Sequence, residues 1–158
     1  MRVIYPEYYK DFKCSAQNCK HNCCIGWEID IDEKSLELYK SIEGDLGKRL
    51  EKNISLDDTP HFILKENERC PFLNSQNLCD IYSTLGEECL CQICSDHPRF
   101  YNEFQNTLEA GLGLCCEEAA RLIITNKKPF KLSGNPENTE INKLREKIFK
   151  VLTNRKIT

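Results

Sequence analysis

The stretch Cys14-Ser-Ala-Gln-Asn-Cys19-Lys-His-Asn-Cys23-Cys24 decides how the chain must fold. It places four thiols within eleven positions, and almost all of its other residues are polar. A cysteine that serves only packing behaves as a small hydrophobic residue and lies in an apolar run. Packing therefore does not explain this segment, and its sulfur atoms are expected either to bind a metal or to be cross-linked.

The other cysteines lie far from this stretch along the chain. Seven follow it, so that 11 of the 158 residues are cysteine, a proportion that approaches that of proteins built on a cysteine framework. They are Cys70, Cys79, Cys89, Cys91, Cys94, Cys115 and Cys116. The chain has to fold back to bring them near the first stretch, and we expect this convergence to organise the fold.

Composition limits the class of protein. The chain has 22 basic and 25 acidic residues, a net charge of −3, and the two signs are interspersed. This pattern gives neither a basic stripe for nucleic acid nor a membrane-binding face. No apolar run approaches the roughly 20 residues of a membrane span. A length of 158 residues is that of one domain with a moderate core.

The N-terminus bears on the redox state of the thiols. Residues 1–13 carry charges throughout and contain no apolar segment of the kind found in export signals. Disulfide frameworks belong to exported proteins, and an odd number of cysteines also argues against complete pairing. We therefore expect a cytoplasmic protein with reduced thiols, with a disulfide-stapled fold as the alternative.

The predicted fold is α+β and mainly helical, with short helices and one or two small β-hairpins around one or more cysteine-ligated metal centres. Residues 1–125 form the cysteine-rich metal-binding domain. Residues 126–158 supply a polar connector and a C-terminal amphipathic helix of the same domain, with apolar residues at helical spacing from Ile141 to Leu152.

Local signals place the other elements. Residues 1–13 are expected to form an irregular arm or short helix. Asp32 is expected to cap a helix that Gly44 and Gly47 interrupt, and a second, shorter helix is expected to carry Leu46, Leu50 and Ile54. The polar run between Cys70 and Cys79 predicts a tight reversal that brings these two close. Further along the chain we expect a strand within Phe100–Leu108 and helices at Glu117–Ile124 and Thr139–Leu152.

Thiolate is a soft ligand that suits both zinc and iron–sulfur clusters. Zinc sites usually consist of two short C-x₂₋₄-C knuckles, whereas the spacings here are looser and more numerous, which favours an iron–sulfur centre and leaves zinc open. Adjacent cysteines diverge, so each vicinal pair is expected to give one ligand to a given ion. The sequence pattern favours a ligand role for Cys19, Cys23, Cys70, Cys79 and Cys94. It favours a packing role for Cys89, Cys91 and Cys115.

Histidine and acidic side chains near the clusters are weaker candidates. His21 and His97 are possible nitrogen ligands, although most histidines serve surface or hydrogen-bonding roles. Glu28, Asp30 and Asp32 alternate with apolar residues and could accept a lysine side chain. A half-buried extended segment that ends in a helix cap explains them more simply.

Four ordered segments resemble the flagellin lysine-N-methylase family, which is part of a wider group of zinc- or iron-chelating proteins. They are Cys14…Cys19…Cys23-Cys24-Ile-Gly-Trp27, Cys70-Pro-Phe-Leu…Leu78-Cys79-Asp-Ile81, Cys94-Ser-Asp-His-Pro-Arg99 and Leu114-Cys-Cys116-Glu-Glu-Ala-Ala-Arg121. The resemblance covers roughly residues 3–125.

This resemblance implies a set of metal ligands and an activity. The family's cysteines correspond to Cys14, Cys19, Cys23, Cys24, Cys70, Cys79, Cys94 and Cys116, and Cys89, Cys91 and Cys115 are additional. The implied cofactor is a [4Fe–4S] cluster, with Zn²⁺ as the alternative, and S-adenosylmethionine is the implied methyl donor. The implied substrate is a lysine side chain of flagellin or another protein.

Two features separate this chain from the family. Family members are usually longer, with a further helical region. A truncated form that lacks a catalytic region is therefore an alternative expectation for this chain. The sequence has no Gly-rich strand–turn–helix fingerprint for a nucleotide-like cofactor. Whether the chain is an enzyme thus stays open, and the alternative function is a non-catalytic zinc- or iron-chelating module. No catalytic or donor-binding residue is assigned.

Overall fold

The computed structural model describes residues 1–20, 22–134 and 139–154. The chain forms two compact units. One, here called the sheet unit, contains Met1–Lys13, Pro98–Leu114 and Glu118–Thr158. The other, here called the cysteine unit, contains Cys14–His97 and Cys115–Glu117. All 11 cysteines belong to the cysteine unit.

The sheet unit is built on a four-stranded sheet. In spatial order its strands are β4 (Arg99–Phe104), β5 (Thr107–Leu112), β1 (Arg2–Pro6) and β6 (Leu132–Ser133). β4 and β5 form an antiparallel hairpin, while β1 pairs in parallel with β5 in the register Arg2↔Thr107. Gln105, at a φ of 53°, provides the left-handed turn of the hairpin.

Two expectations for this region were confirmed only in part. The N-terminal arm begins with strand β1 and continues as a short 3₁₀ helix over Glu7–Asp11. Its partner β5 lies about a hundred residues away along the chain, so no local sequence pattern predicts the pairing. The single strand expected within Phe100–Leu108 is instead a hairpin, because the turn at Gln105 divides the segment into β4 and β5.

Two helices accompany the sheet, and both agree with the sequence prediction. They are α5 (Glu117–Thr125) and α6 (Glu140–Leu152). The Thr139 hydroxyl caps α6 by accepting a hydrogen bond from the Asn142 N–H at 3.2 Å. Arg145 on α6 forms an ion pair with Glu109 of β5, so the helix is fixed to the sheet.

The cysteine unit combines short helices with a two-stranded ladder. Its elements are α1 (Glu33–Ser41), α2 (Gly44–Asn53), β2 (Ile54–Ser55), β3 (His61–Phe62), α3 (Asp80–Leu85) and α4 (Gln92–Asp96). Asp32 caps α1 as predicted. Gly47, however, lies inside α2 and does not interrupt it. Glycine fits this position because a β-carbon there would come within 1.9 Å of the Ile42 carbonyl oxygen.

The core of the cysteine unit includes sulfur. Its fully buried side chains come from the extended segment, the helices and the loops: Ile29, Ile31, Tyr39, Leu50, Phe62, Phe72, Ile81, Cys70 and Cys91. Phe62 contacts Phe72 with ring centroids 5.0 Å apart. The Tyr39 hydroxyl donates to the Cys89 carbonyl at 2.9 Å, so the core reaches the second cysteine cluster.

The predicted α+β class, with more helix than strand, is confirmed by the described residues. Within residues 1–20, 22–134 and 139–154, no helix has both the length and the apolar character needed to cross a membrane. The division of the chain at residue 125 stays a prediction.

Candidate metal centre

Six cysteines from three parts of the chain lie near one another, and we call them the inner group: Cys23, Cys24, Cys70, Cys79, Cys91 and Cys94. The thiol of Cys24 interacts electrostatically with Cys70 and Cys79, and that of Cys94 interacts with Cys24 and Cys70. Cys70 also interacts with Cys91. The convergence expected from the sequence is therefore present for these six.

Backbone hydrogen bonds join the first cysteine stretch to Cys70. The Cys70 N–H donates to the Cys24 carbonyl at 2.8 Å, and Ile25 and Arg69 form an antiparallel bridge beside it. Gly26 continues this pairing, since its N–H donates to the Glu68 carbonyl at 3.1 Å. These bonds fix the position of the Cys23–Cys24 pair relative to Cys70.

The loop between Cys70 and Cys79 is a tight reversal, as predicted. Leu73 and Cys79 form an antiparallel bridge. The side-chain oxygen of Asn74 accepts hydrogen bonds from the N–H groups of Gln76 and Leu78 at 2.9 and 3.1 Å. This local side-chain cap makes the turn compact and places Cys70 and Cys79 near each other.

An ion pair supports the end of this loop. The Arg49 guanidinium lies 2.8 Å from the Asp80 carboxylate, directly after Cys79. Asp80 also accepts a hydrogen bond from Asn74 Nδ2 at 3.0 Å. Burial tends to raise the pKa of Asp80, but the hydrogen bonds from Arg49 and Asn74 outweigh it and hold this pKa below its ordinary value.

Cys91 and Cys94 form a second local turn. Cys91 precedes α4, and the Cys94 N–H donates to its carbonyl at 3.0 Å. The Asp32 carboxylate accepts a hydrogen bond from the Gln92 N–H at 2.8 Å. The residue that caps α1 thus also holds the start of the turn between the two cysteines.

The thiols within each of two cysteine pairs influence one another. The neighbouring Cys24 thiol lowers the pKa of Cys23 to about 7, and the Cys23 thiol together with burial raises the pKa of Cys24. The Cys94 thiol likewise lowers the pKa of Cys91, and the Cys91 thiol together with burial raises that of Cys94. One sulfur of each pair therefore loses its proton more readily than the other, and the deprotonated form is the one that binds metals.

Burial acts on the two cysteines of the reversal in the other direction. Desolvation raises the pKa of Cys70 to about 11 and also raises that of Cys79. A thiol buried among other sulfur atoms loses its proton readily only when a cation compensates the charge. Cys70 and Cys79 therefore keep their protons near neutral pH and would become thiolates on binding a cation.

Three further thiols of the cysteine unit are exposed or lie beside a hydroxyl group. Cys14 and Cys115 are exposed. Cys19 lies beside the Ser15 hydroxyl, with Sγ and Oγ 3.0 Å apart. The Lys20 N–H donates to the Glu117 carboxylate at 2.7 Å, which brings the chain after Cys19 to the chain after Cys116.

His97 lies against Trp27, with ring centroids 5.8 Å apart, and the Trp27 indole N–H donates to the Cys23 carbonyl. His97 Nε2 is buried, and no described residue gives it a hydrogen bond. Burial lowers its pKa, which favours the neutral imidazole that binds metals. By contrast, His61 Nδ1 lies 2.8 Å from the Thr59 carbonyl. His21 lies outside the described residues.

The donors present fit a thiolate-bound metal in chemistry, although they are not arranged as a finished chelate. Among the described residues, no three or more His, Cys, Asp or Glu side chains converge closely enough to hold an ion. The inner group nevertheless supplies soft sulfur donors near one another, and His97 supplies a buried nitrogen that lacks a partner. Binding would require side-chain rotation and loss of thiol protons.

The structure divides the eight cysteines predicted as ligands. Cys23, Cys24, Cys70, Cys79 and Cys94 belong to the inner group. Cys14, Cys19 and Cys116 are not members of the inner group as defined above. Their roles as ligands stay predictions. Cys91, to which packing was assigned, lies within the inner group, and its C-x-x-C spacing with Cys94 was the signal for a paired role.

Comparison with known proteins gives three relatives. An alignment over 145 residues, which covers 83% of the chain, is 27% identical to the lysine-N-methylases of Salmonella choleraesuis (strain SC-B67) and Salmonella typhimurium (strain LT2). An alignment over 144 residues, which covers 82% of the chain, is 28% identical to the flagellar biosynthetic protein FliU of Salmonella muenchen. No protein-family model and no solved structure matches the chain.

The relatives differ in how much of their length is matched. The chain spans about a third of the two lysine-N-methylases, 34% of each, but 81% of FliU. The shared region includes most of this chain and therefore most of its cysteine segments. The chain is thus similar to proteins named lysine-N-methylase and to a flagellar biosynthetic protein, in agreement with the resemblance of those segments.

Proposed function

We propose that this chain holds a thiolate-bound metal centre, a [4Fe–4S] cluster with Zn²⁺ as the alternative, in a protein that methylates lysine side chains. S-adenosylmethionine is the proposed methyl donor, and flagellin or another lysine-bearing protein is the proposed substrate. The observation that carries the metal centre is the gathering of the inner group in one compact unit. The names of the three relatives support the activity.

The inner group would supply the ligands, and the reversal and the Cys91–Cys94 turn would hold them. When bound, a metal centre supplies positive charge that keeps thiolates deprotonated and supplies free energy for folding. The chain's own residues exclude water from much of the site, since Cys70 and Cys91 are buried and Phe72 and Ile81 pack in the same core.

Methyl transfer makes defined demands on the protein. The bond between the donor's methyl carbon and its sulfonium sulfur breaks, a bond from that carbon to the lysine nitrogen forms, and the amine gives up a proton. The protein has to hold the amine neutral and in line with the methyl group, which positioning and desolvation accomplish. No described residue is assigned as the base.

Metal content is the first test. The protein is purified without oxygen, and iron, inorganic sulfide and zinc are measured per chain. We expect iron and sulfide in equal amounts with broad visible absorption that dithionite bleaches, and a loss of both in Cys70→Ser. Zinc without sulfide would replace the cluster by the alternative metal, and protein that contains neither metal would contradict the proposed centre.

Methyl transfer is the second test. The metal-loaded protein is incubated with S-adenosylmethionine labelled in the methyl group and with purified flagellin. Mass spectrometry of flagellin peptides should then find labelled methyl on lysine nitrogen, and Cys70→Ser should abolish it. Unlabelled flagellin in the presence of fully loaded protein would remove the enzymatic part of the proposal.

A non-catalytic metal-chelating module is the second candidate. The observation that favours it is that the chain corresponds to only 34% of each lysine-N-methylase. The two tests separate the candidates, because a module would retain stoichiometric metal and leave flagellin unlabelled.

A further inference from the structure

We infer that Cys91 is a sulfur donor of the inner group and forms with Cys94 a two-sulfur chelating turn that Asp32 holds in position. The inference rests on the proposed metal centre. It concerns a cysteine outside the set that the resemblance identifies, and it adds a residue whose function is to position that cysteine.

The surroundings of Cys91 are the first argument. Its side chain is 0% exposed and packs in the core of the cysteine unit. The same core contains Cys70, and Cys94 packs against it, so Cys91 lies among two other members of the inner group. A cysteine that serves only as a small apolar residue does not need other thiols as neighbours.

The geometry of the turn is the second argument. The N–H groups of Cys94 and Ser95 both donate to the Cys91 carbonyl at 3.0 Å, which fixes one helical turn between the two cysteines. Cys91 belongs to the core of the cysteine unit and Cys94 packs against that core, so the turn presents both cysteine side chains to the same core. Two sulfurs separated by two residues in one turn are the arrangement of a metal-binding knuckle.

The third argument is the anchoring of this turn. Asp32 accepts hydrogen bonds from Ser35 N–H at 3.0 Å and Ser35 Oγ at 2.8 Å, both on α1. The same carboxylate accepts the Gln92 N–H at 2.8 Å. Asp32 therefore ties the turn to a helix that begins about sixty residues earlier and restricts the position of the Cys91 backbone.

Cys89 provides the matched comparison. It lies two residues from Cys91 and packs against the same core, but it engages this core through its carbonyl, which accepts the Tyr39 hydroxyl. Cys89→Ser and Cys91→Ser thus make the same chemical change at nearby positions, and only the second removes a sulfur of the inner group.

The test measures metal and sulfide per chain in wild type, Cys91→Ser and Cys89→Ser after oxygen-free purification. We expect Cys91→Ser to lose at least half of the metal, with a changed visible spectrum, and Cys89→Ser to match wild type. Cys91→Ser with the full wild-type metal content and spectrum would overturn the inference. Absence of metal from wild type would instead contradict the proposed centre from which it starts.

Asp32→Asn keeps the side-chain shape and gives a second measurement if Cys91→Ser does not fold. Competition with a chelator should show metal affinity about 10- to 100-fold lower than in wild type, with unchanged content at saturation, as is typical when a group that orients a ligand is altered. Asp30→Asn removes the same charge from the exposed side of the preceding segment and should leave affinity unchanged. Equal affinities of wild type and Asp32→Asn would contradict the positioning role.

Discussion

At the scale of single residues, the sequence predicts that the cysteines bind a metal or are cross-linked, but it does not predict which of them lie together. The polar residues around Cys14–Cys24 are the basis of that prediction, and the position of Asp32 before a helix predicts its role as a cap. The hydrogen bond from the Gln92 N–H to Asp32 cannot be predicted in this way, because the two residues are 60 positions apart and only the folded chain brings them together. For the same reason, the sequence does not predict that Cys91 belongs to the inner group whereas Cys89 does not.

The ion pair of Arg49 and Asp80 is a residue-scale contact that can be measured. A double-mutant cycle with Arg49→Met and Asp80→Asn should give a coupling free energy of about 1 kcal/mol, since the Asp80 side chain is only 24% exposed and the pair supports the Cys70–Cys79 reversal. The exposed pair of Lys143 and Glu140, changed in the same way, should give a smaller coupling of about 0.3 kcal/mol.

The pH dependence of this coupling has a definite sign. The folded pKa of Asp80 lies below its ordinary value, so the contribution is complete above the unfolded pKa of about 3.9 and is lost as pH falls through the lower folded value. The coupling measured by urea unfolding should therefore be equal at pH 7 and pH 5.5. A coupling that declines over this range would contradict the assignment.

At the scale of elements, helices with local start signals are predictable and long-range strands are not. α1 and α6 begin after capping side chains that the sequence displays. β1 carries no such sign, because its structure depends on parallel pairing with β5 from the distant part of the chain. The break between the two helices and the second helix itself were predicted, but Gly47 lies within α2 and permits close contact with Ile42.

Gly47→Ala tests that contact between α2 and the end of α1. Alanine favours a helix interior over glycine by about 1 kcal/mol, which alone would stabilise the protein. The added β-carbon would lie 1.9 Å from the Ile42 backbone oxygen, however, and a backbone atom cannot rotate away. We expect the free energy of unfolding to fall by about 1–3 kcal/mol in urea titrations.

Lys48→Ala is the control, because it lies on the exposed side of the same helix and should change stability by less than about 0.5 kcal/mol. A Gly47→Ala protein as stable as wild type would mean that α2 moves away from Ile42 at little cost.

At the scale of the whole molecule, the sequence predicts that the cysteines converge, and the structure places all of them in one unit. It does not predict that the chain leaves this unit at His97 and returns at Cys115. The intervening residues form the β4–β5 hairpin, whose pairing with the N-terminal strand is determined by non-local hydrogen bonds. The two units are thus each assembled from separated stretches of sequence.

This division predicts an uneven response to metal removal. The cysteine unit has sulfur in its core, so loss of a bound metal should leave buried thiols without the ion that holds them together. The sheet unit contains no cysteine and has its own buried side chains, among them Ile4, Phe12 and Leu112. Chelation should therefore abolish protection from hydrogen exchange at the amides of Cys70, Leu73 and Cys94.

Mass spectrometry after hydrogen exchange can resolve this response by peptide. Peptides from β4 and β5 should retain their protection after chelation, because local opening follows the contacts of each cooperative unit. The Cys70→Ser protein, prepared without a chelator, should show the same pattern, and this control separates loss of the metal from effects of the reagent. Equal loss of protection in both units would mean that they unfold together, and unchanged protection in the cysteine unit would mean that its sulfur-containing core is stable without an ion.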